Sequence, residues 1–150
     1  RFMMKITMGY PSVDEEIEIL ERHNGNSGFS KISDVQAVLT REELETLRRQ
    51  LDKVVMEHTL VRYIAEIVYQ TRISKAVLTA ASPRAAIAIM QCAKAYALLQ
   101  GRDFTVPDDI KSVAPYVLQH RLQLTAEAEM QGYTPLKVAT LLIDKVEVPK

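Results

Sequence analysis

Residues 82–99 read SPRAAIAIMQCAKAYALL, and this stretch decides the predicted fold. A serine followed by proline is the preferred start of a helix, with Ser82 as the N-cap and Pro83 as the first helical residue. From Ala85 to Leu99 almost every residue is apolar or small, which predicts a helix surrounded by other helices. Gly101 is expected to end this helix just after its C-cap.

One side of this helix keeps polar residues. At ~100° per residue, Arg84 and Gln91 lie about 20° apart, with Ala88 and Ala95 on the same stripe. The pattern predicts that Arg84 heads a small, polar face against which a close partner could fit. On spacing alone, a surface arginine after a proline cap is the ordinary alternative.

Similar signals predict helices on both sides of this stretch. Capping boxes, in which serine or threonine precedes glutamate by three residues, predict helices at 12–22 and 40–52, the first burying Ile17 and Leu20. Apolar residues at helical spacing predict a helix at 57–72. Proline-headed starts predict two later helices at Pro107, with a kink or break at Pro115, and at Thr134-Pro135.

Strand signals are few. Residues 2–8 alternate partly and predict a strand, residues 54–56 are a short strand candidate, and residues 104–106 read as extended. The predicted fold class is therefore mainly α, a helical bundle with an N-terminal strand and candidates for short internal strands.

Composition excludes several classes of function. Nineteen basic residues balance nineteen acidic ones, and no basic stripe is visible, which disfavours a nucleic-acid binder. No apolar run approaches the ~20 residues that a membrane helix needs. The single cysteine, Cys92, cannot form an internal disulfide, which favours a reducing compartment, and we expect a cytoplasmic protein.

Reactive and metal-binding chemistry is also weakly signalled. Cys92 falls inside the apolar helix, where a thiol is usually buried and inert. The three histidines show no paired spacing, so no zinc site is predicted. The carboxylates at 14–16 and at Asp108-Asp109 stand in first helical turns, where they favourably meet the helix dipole rather than a metal.

Nine short motifs follow one another along nearly the whole chain. They are Arg1-Phe2, Lys5-Ile6, Gly9-Tyr10-Pro11-Ser12, Thr71-Arg72, Ala81-Ser82-Pro83-Arg84-Ala85, Ala93-Lys94-Ala95, Gly101-Arg102-Asp103-Phe104, Val106-Pro107-Asp108-Asp109-Ile110 and Val117-Leu118-Gln119-His120-Arg121. In this order they resemble the MoxR family of AAA+ ATPases. Residues 81–85 resemble the start of that family's sensor-2 helix.

The resemblance implies a division of the chain. Residues 1–11 would be the last strand of a truncated α/β nucleotide-binding core, and residues 12–150 the helical lid. The Walker A loop, the Walker B carboxylates and sensor 1 would lie upstream, since this sequence contains no Gly-x-x-x-x-Gly-Lys-Ser/Thr. ATP and Mg²⁺ are thus expected in the intact protein, whereas this chain alone should bind no cofactor and hydrolyse nothing.

The resemblance also implies roles for single residues. Arg84 would be the sensor-2 arginine, contacting the γ-phosphate of its own subunit or of a neighbour. Arg1 would be an arginine finger that reaches a neighbouring subunit's ATP. Tyr10 would line the adenine pocket, although packing of a hinge turn is the stronger alternative. Three other arginines are expected at helix ends or in solvent, with subunit interfaces as the alternative: Arg72, Arg102 and Arg121.

Two hypotheses for function follow. In the first, the chain is the lid of a ring-shaped, hexameric ATPase that remodels client proteins in a chaperone-like way, with von Willebrand A domain proteins among its partners. In the second, it is a self-contained interaction module in which residues 83–121 pack like a histone and could contact DNA. Under the first hypothesis, residues 2–8 should pair with a second copy, pack onto the lid, or be disordered.

Overall fold

The computed structural model describes residues 2–24 and 35–149. Within these residues seven helices and two strands follow one another. They are α1 (Val13–Asn24), α2 (Arg41–Leu51), α3 (His58–Ile73), β1 (Val77–Thr79), α4 (Pro83–Leu99), α5 (Pro107–Leu118), β2 (Gln123–Leu124), α6 (Ala126–Met130) and α7 (Pro135–Asp144). The chain forms two compact units, Arg1–Ile6 with Leu47–Lys150, and Thr7–Thr46.

The core of the larger unit is a bundle of four helices. Helix α4 packs on α3 and α5, and both of these pack on α7. The fully buried residues on the facing sides include Ile67 of α3, Ile89 of α4, Ile110 of α5 and Ala139 of α7. Burial of this apolar surface, at roughly 25 cal/mol per Å², is the main force that holds the bundle together.

Small residues allow α4 to approach its neighbours closely. Its buried face includes four alanines and the side chain of Ile89; the alanines are Ala85, Ala88, Ala93 and Ala97. The opposite face is open to solvent, with Arg84, Ile87 and Gln91 exposed. The prediction that α4 is surrounded by helices is therefore wrong, because α3 and α5 cover only one side of it.

Local signals located the ends of α4 correctly. Ser82 is the N-cap and Pro83 the first helical residue. At the other end Gly101 has a φ of 74°, its N–H donates to the carbonyl of Leu98, and the next N–H, of Arg102, donates to the carbonyl of Ala97. This pair of bonds is a Schellman motif, in which glycine avoids the steric cost of positive φ.

Two short connections close the bundle. Strand β1 precedes α4 and pairs antiparallel with β2, which follows α5. The candidate strand at 54–56 reduces to one parallel bridge, in which Val55 pairs with Phe104. The region after residue 122, which gave no clear sequence signal, contains β2 and α6, where the Thr125 side chain accepts the N–H of Ala128.

Two predicted features differ from the structure. Pro115 does not split α5, which continues to Leu118, because buried residues on either side of it, Ala114 and Val117, hold the helix in the bundle. The predicted strand at residues 2–8 is not a strand. A ladder needs a neighbouring strand, and the backbone of Lys5 instead donates a hydrogen bond of 3.0 Å to the carbonyl of Tyr116 in α5.

The unit Thr7–Thr46 contains α1 and the first part of α2. Both predicted capping boxes are present: the Glu15 carboxylate accepts the N–H of Ser12 at 2.7 Å, and Glu43 accepts that of Thr40 at 2.7 Å. The predicted burial in α1 is wrong, since none of its residues is buried and Ile17 is 47% exposed. Capping fixes where a helix starts but supplies no apolar partner.

The predicted fold class is confirmed: the described residues are mainly α, a helical bundle in which the strands are short. The division at residues 11 and 12 stays a prediction.

Candidate functional site

Arg84 is the second residue of α4, where N–H groups of the first turn have no acceptor within the helix. Its side chain is exposed, and it makes no hydrogen bond or ion pair with any residue that the structure describes. The residues around it are fixed, because Ala81 and Ala85 are both buried. A free guanidinium on a rigid backbone at the positive end of a helix is suited to bind an anion.

The end of α3 fixes the start of α4. The N–H of Ala81 donates to the Thr71 hydroxyl at 3.1 Å, and that hydroxyl donates to the carbonyl of Val68 at 2.7 Å. The carbonyl of Ala81 accepts a weaker bond of 3.4 Å from Arg72 Nε. Both polar backbone groups of Ala81 are thus held by α3, three residues before Arg84. Arg72, which was expected at a helix end, thus helps to connect the end of α3 with the start of α4.

The face that Arg84 heads is only partly the one predicted. Gln91 is exposed on it, but Ala88 is buried, and the apolar side chain of Ile87 is 51% exposed. The open side of α4 is therefore a mixed surface rather than a small, polar one. This exposed side of α4 adjoins Arg84. A partner that binds there would therefore contact both the arginine and the mixed surface of the helix.

Tyr10 belongs to the other unit and is fully exposed. It borders an open cleft of about 530 Å³, together with Pro11 and with Glu15, Glu18 and Arg22 of α1. The adenine-binding role of Tyr10 stays a prediction. The alternative of a packed hinge turn also stays a prediction, since the core against which that turn would pack lies outside this chain. Arg1 lies outside the described residues.

Arg102 and the buried Asp109 form a partly buried ion pair that sequence reasoning missed. Arg102 Nη1 and Nη2 donate to the two Asp109 oxygens at 2.9 and 2.6 Å, and Asp109 is only 1% exposed. This hydrogen bond raises the pKa of Arg102. Asp109 Oδ2 also accepts the N–H of Val106. The pair connects the end of α4 to the start of α5. Its one signal in the sequence was an aspartate in the first turn of a helix that begins with proline.

A third group of side chains was also missed. Gln119, His120 and Arg121 follow α5, and all three contact backbone carbonyls of residues 2–5. Arg121, predicted at a helix end or in solvent, donates instead to the carbonyls of Phe2 and Met3 at 2.8 and 3.4 Å. The run of three polar residues after an apolar helix face could have indicated that they contact one common segment.

Cys92 is buried, as its position inside an apolar helix predicts. Burial raises the pKa of its thiol, and the charge of Arg121 offsets this only in part. A thiol of raised pKa supplies little thiolate, so the structure offers no support for a nucleophile here. The described residues contain no cluster of three or more side chains able to hold a metal ion. None of their helices is both long and apolar enough to cross a bilayer.

Comparison with known families matches residues 69–140 to the AAA lid domain. This range begins in α3, ends in α7 and contains Arg84, Asp109 and Arg121. The match favours the lid over the histone-like module, because it reaches from α3 into α7 rather than covering residues 83–121 alone.

Similar proteins extend the likeness to the rest of the chain. The uncharacterized protein YeaC of Bacillus subtilis is 37% identical over 149 residues, which cover 99% of this chain and 46% of that protein. Chaperone MoxR1 of Mycobacterium tuberculosis is 33% identical, over 100% of this chain and 41% of that protein. The chain thus spans less than half the length of these relatives.

A solved structure shows the same arrangement. The crystal structure of a "putative ATPase" from Cytophaga hutchinsonii matches with a TM-score of 0.85 and 33% identity, over 100% of this chain and 47% of that one.

Proposed function

This chain is the C-terminal, lid-bearing portion of a MoxR-family AAA+ ATPase, and on that premise we propose that it couples ATP binding and hydrolysis to movement of the lid through Arg84. The observation that carries the proposal is the guanidinium of Arg84, which has no partner among residues 2–24 and 35–149 and stands on the anchored first turn of α4. In the intact protein this group contacts the γ-phosphate, of its own subunit or of a neighbour.

The physical reason is charge. Phosphoryl transfer spreads negative charge over the terminal phosphate oxygens, and a guanidinium offers planar, paired donors to them. Because the Ala81 backbone is bonded to α3 through Thr71, Arg84 can shift substantially only if the lid shifts with it. Contact with the γ-phosphate therefore closes the lid, and hydrolysis releases it.

The upstream core and the neighbouring subunits supply the remaining roles in this proposal. ATP with Mg²⁺ binds the upstream core, Tyr10 borders the adenine, and Arg1 acts as the finger toward a neighbouring subunit. Subunits form a ring, a hexamer by resemblance, and the lid's motion remodels a client or a von Willebrand A domain partner in the cytoplasm. The name of the relative chaperone MoxR1 supports a chaperone-like role. This chain alone hydrolyses no ATP.

The test is Arg84→Ala in the full-length parent. We expect ATP hydrolysis to fall about tenfold or more, because a contact with the transferred phosphate is lost. Arg62→Ala is the matched control, since Arg62 is an exposed arginine whose only described partner is Glu66. Steady-state kcat and KM for ATP are measured for both. Full activity of Arg84→Ala contradicts the proposal.

A further inference from the structure

Two open clefts adjoin each other at the end of the bundle where α3 and α5 begin. The first cleft, of about 300 Å³, is lined mainly by apolar side chains, among them Val55, Leu60, Phe104 and Pro107. Val55 and Phe104 are 60% and 49% exposed, although a backbone bridge joins the two residues and holds them in place. Apolar side chains that are fixed in position and half open to water favour contact with an apolar partner.

The border of the first cleft is acidic. Glu57 lines it, and Asp103 and Asp108 each stand next to a lining residue in the sequence. These three carboxylates are exposed, and their side chains make no hydrogen bond or ion pair with any residue that the structure describes. The cation Arg102, which lies over the cleft's phenylalanine ring at 5.8 Å, is already bound to Asp109. Uncompensated negative charge thus surrounds the apolar surface.

The second cleft, of about 270 Å³, shares Thr59 and Pro149 with the first. Tyr63 also lines it, and this residue is only 1% exposed, with a buried hydroxyl that has no partner among the described residues. Burial raises the pKa of the hydroxyl, and the negative charges of Asp144 and Asp108 raise it further. The neutral phenol therefore has an unused oxygen acceptor in negative surroundings.

The remaining groups of the second cleft leave it open to a cationic ligand. Arg62 and Glu66 form an ion pair of 2.9 Å and add no net charge, whereas the exposed Glu147 adds negative charge. Residues 147–149 make no hydrogen bond with the other described residues, so little holds them at the cleft beside Tyr63. A ligand that moves them aside can reach the hydroxyl.

We propose that the two clefts, together called the acidic groove, bind an extended segment of a client protein in which lysine or arginine alternates with apolar residues. Successive side chains of an extended segment point to opposite sides, so one set can face the apolar lining while the other meets the acidic border. The apolar side chains pack on Val55 and Phe104. One cationic group lies beside Asp108 and Asp144 and donates to the Tyr63 hydroxyl.

The chemistry of the acidic groove selects this occupant. An ammonium or guanidinium group only donates hydrogen bonds, and it therefore complements an oxygen acceptor that lies near two carboxylates. An acidic segment would be repelled, and a purely apolar one would leave the carboxylates and the hydroxyl without partners. The inference goes beyond the proposed function, because it gives the lid a second site, at the opposite end of α4 from Arg84. It rests on that function only in calling the partner a client.

The first test measures peptide binding to the full-length parent by fluorescence anisotropy. In one fluorescein-labelled peptide lysine alternates with valine; in a second, glutamate replaces lysine, and in a third, glycine replaces valine. We expect the second and third peptides to bind at least about tenfold more weakly than the first. The affinity for the first should fall as salt is added, because ions screen exposed charges.

The second test substitutes the acidic groove and repeats the measurement with the lysine–valine peptide. The double variant Glu57→Gln with Asp108→Asn, and separately Phe104→Ala, should each raise Kd about tenfold. Tyr63→Phe should raise Kd about threefold without lowering the melting temperature, since the lost hydroxyl has no described partner. Glu129→Gln is the matched control, because this exposed glutamate of α6 lines neither cleft, and it should keep the parent's affinity.

Three results would overturn the inference: equal affinity for the lysine and glutamate peptides, unchanged affinity in the double carboxylate variant, or unchanged affinity in Tyr63→Phe. Binding by this chain alone but not by the parent would also overturn it, since the parent's own upstream core would then cover the acidic groove. If thermal melting shows that Phe104→Ala does not fold, the exposed carboxylates decide the question. ATP hydrolysis by Arg84→Ala is measured without peptide, so failure of the sensor and failure of the acidic groove are separate outcomes.

Discussion

Helices α1 and α5 begin with the same hydrogen bond in opposite surroundings. In α1 the third helical residue, Glu15, accepts the N–H of Ser12 at 2.7 Å, and in α5 the third residue, Asp109, accepts that of Val106 at 2.8 Å. Glu15 lies on an exposed helix with no buried residue, whereas Asp109 is buried and doubly bonded to Arg102. One local motif thus serves as a simple cap in one place and as a structural ion pair in the other.

The difference shows that helix capping and core packing contribute separately to stability. The cap satisfies backbone groups that any helix start leaves open, whatever lies around it. How much a capping carboxylate contributes to the free energy of unfolding depends on how completely its surroundings exclude water. Substitutions that are chemically alike should therefore have unlike effects in the two helices.

The largest contrast is expected for two isoleucines. Ile110→Ala in α5 should lower the free energy of unfolding by roughly 2–5 kcal/mol, because Ile110 is fully buried and its loss leaves a cavity. Ile17→Ala in α1 should change it by less than about 0.5 kcal/mol, since Ile17 is half exposed. Urea unfolding of this chain, followed by circular dichroism, measures both. Equal losses would show that α1 is as well packed as α5.

A smaller contrast is expected for the two capping carboxylates. Asp109→Ala removes the cap and a buried charge-assisted pair, and should cost roughly 2–4 kcal/mol in the same urea measurement. Glu15→Ala removes only an exposed cap and should leave the bundle's unfolding midpoint where it was. If Asp109→Ala were no more harmful than Glu15→Ala, the ion pair with Arg102 would contribute nothing to stability.

The smallest effect is a response of α1 to acid. The hydrogen bond from the Ser12 N–H lowers the pKa of Glu15 below its ordinary 4.5. A carboxylate whose pKa is lower in the folded state stabilises the helix above pH 4.5, and the stabilisation is lost as the pH falls through the folded value. The ¹³C chemical shifts of the first turn of α1 should therefore lose helical character below about pH 4.5. Glu15→Gln should abolish this pH dependence, and its persistence would assign it to another group.

Much of the candidate site was visible in the sequence. The Ser82-Pro83 start placed Arg84 in the first turn of α4, and the order of motifs gave the family. What the sequence did not show was long-range bonding: Thr71 to Ala81, Arg102 to Asp109, and Arg121 to the carbonyl of Phe2. The last joins residues 119 positions apart, a distance over which local patterns carry no information.

Expectations that failed did so for a shared reason. The apolar residues of α1 predicted a buried face, and residues 2–8 predicted a strand, but each needed a partner that no local pattern can supply. Pro115 predicted a kink or a break in α5, and the break does not occur because packing of Ala114 and Val117 holds the helix together. The lack of a tertiary partner thus left predicted structure unformed, and tertiary packing preserved a helix that local propensity disfavoured.

The sequence by itself determined where most of the helices of this protein start, and where α4 stops. Those limits depend on caps, prolines and Gly101, which act over three or four residues through the backbone's own hydrogen bonds. Only the tertiary structure decided which faces are covered, and that Arg102 and Arg121 are bound while Arg84 has no partner among the described residues. Burial and pairing require groups that are distant in the chain to meet, and the bundle alone brings them together.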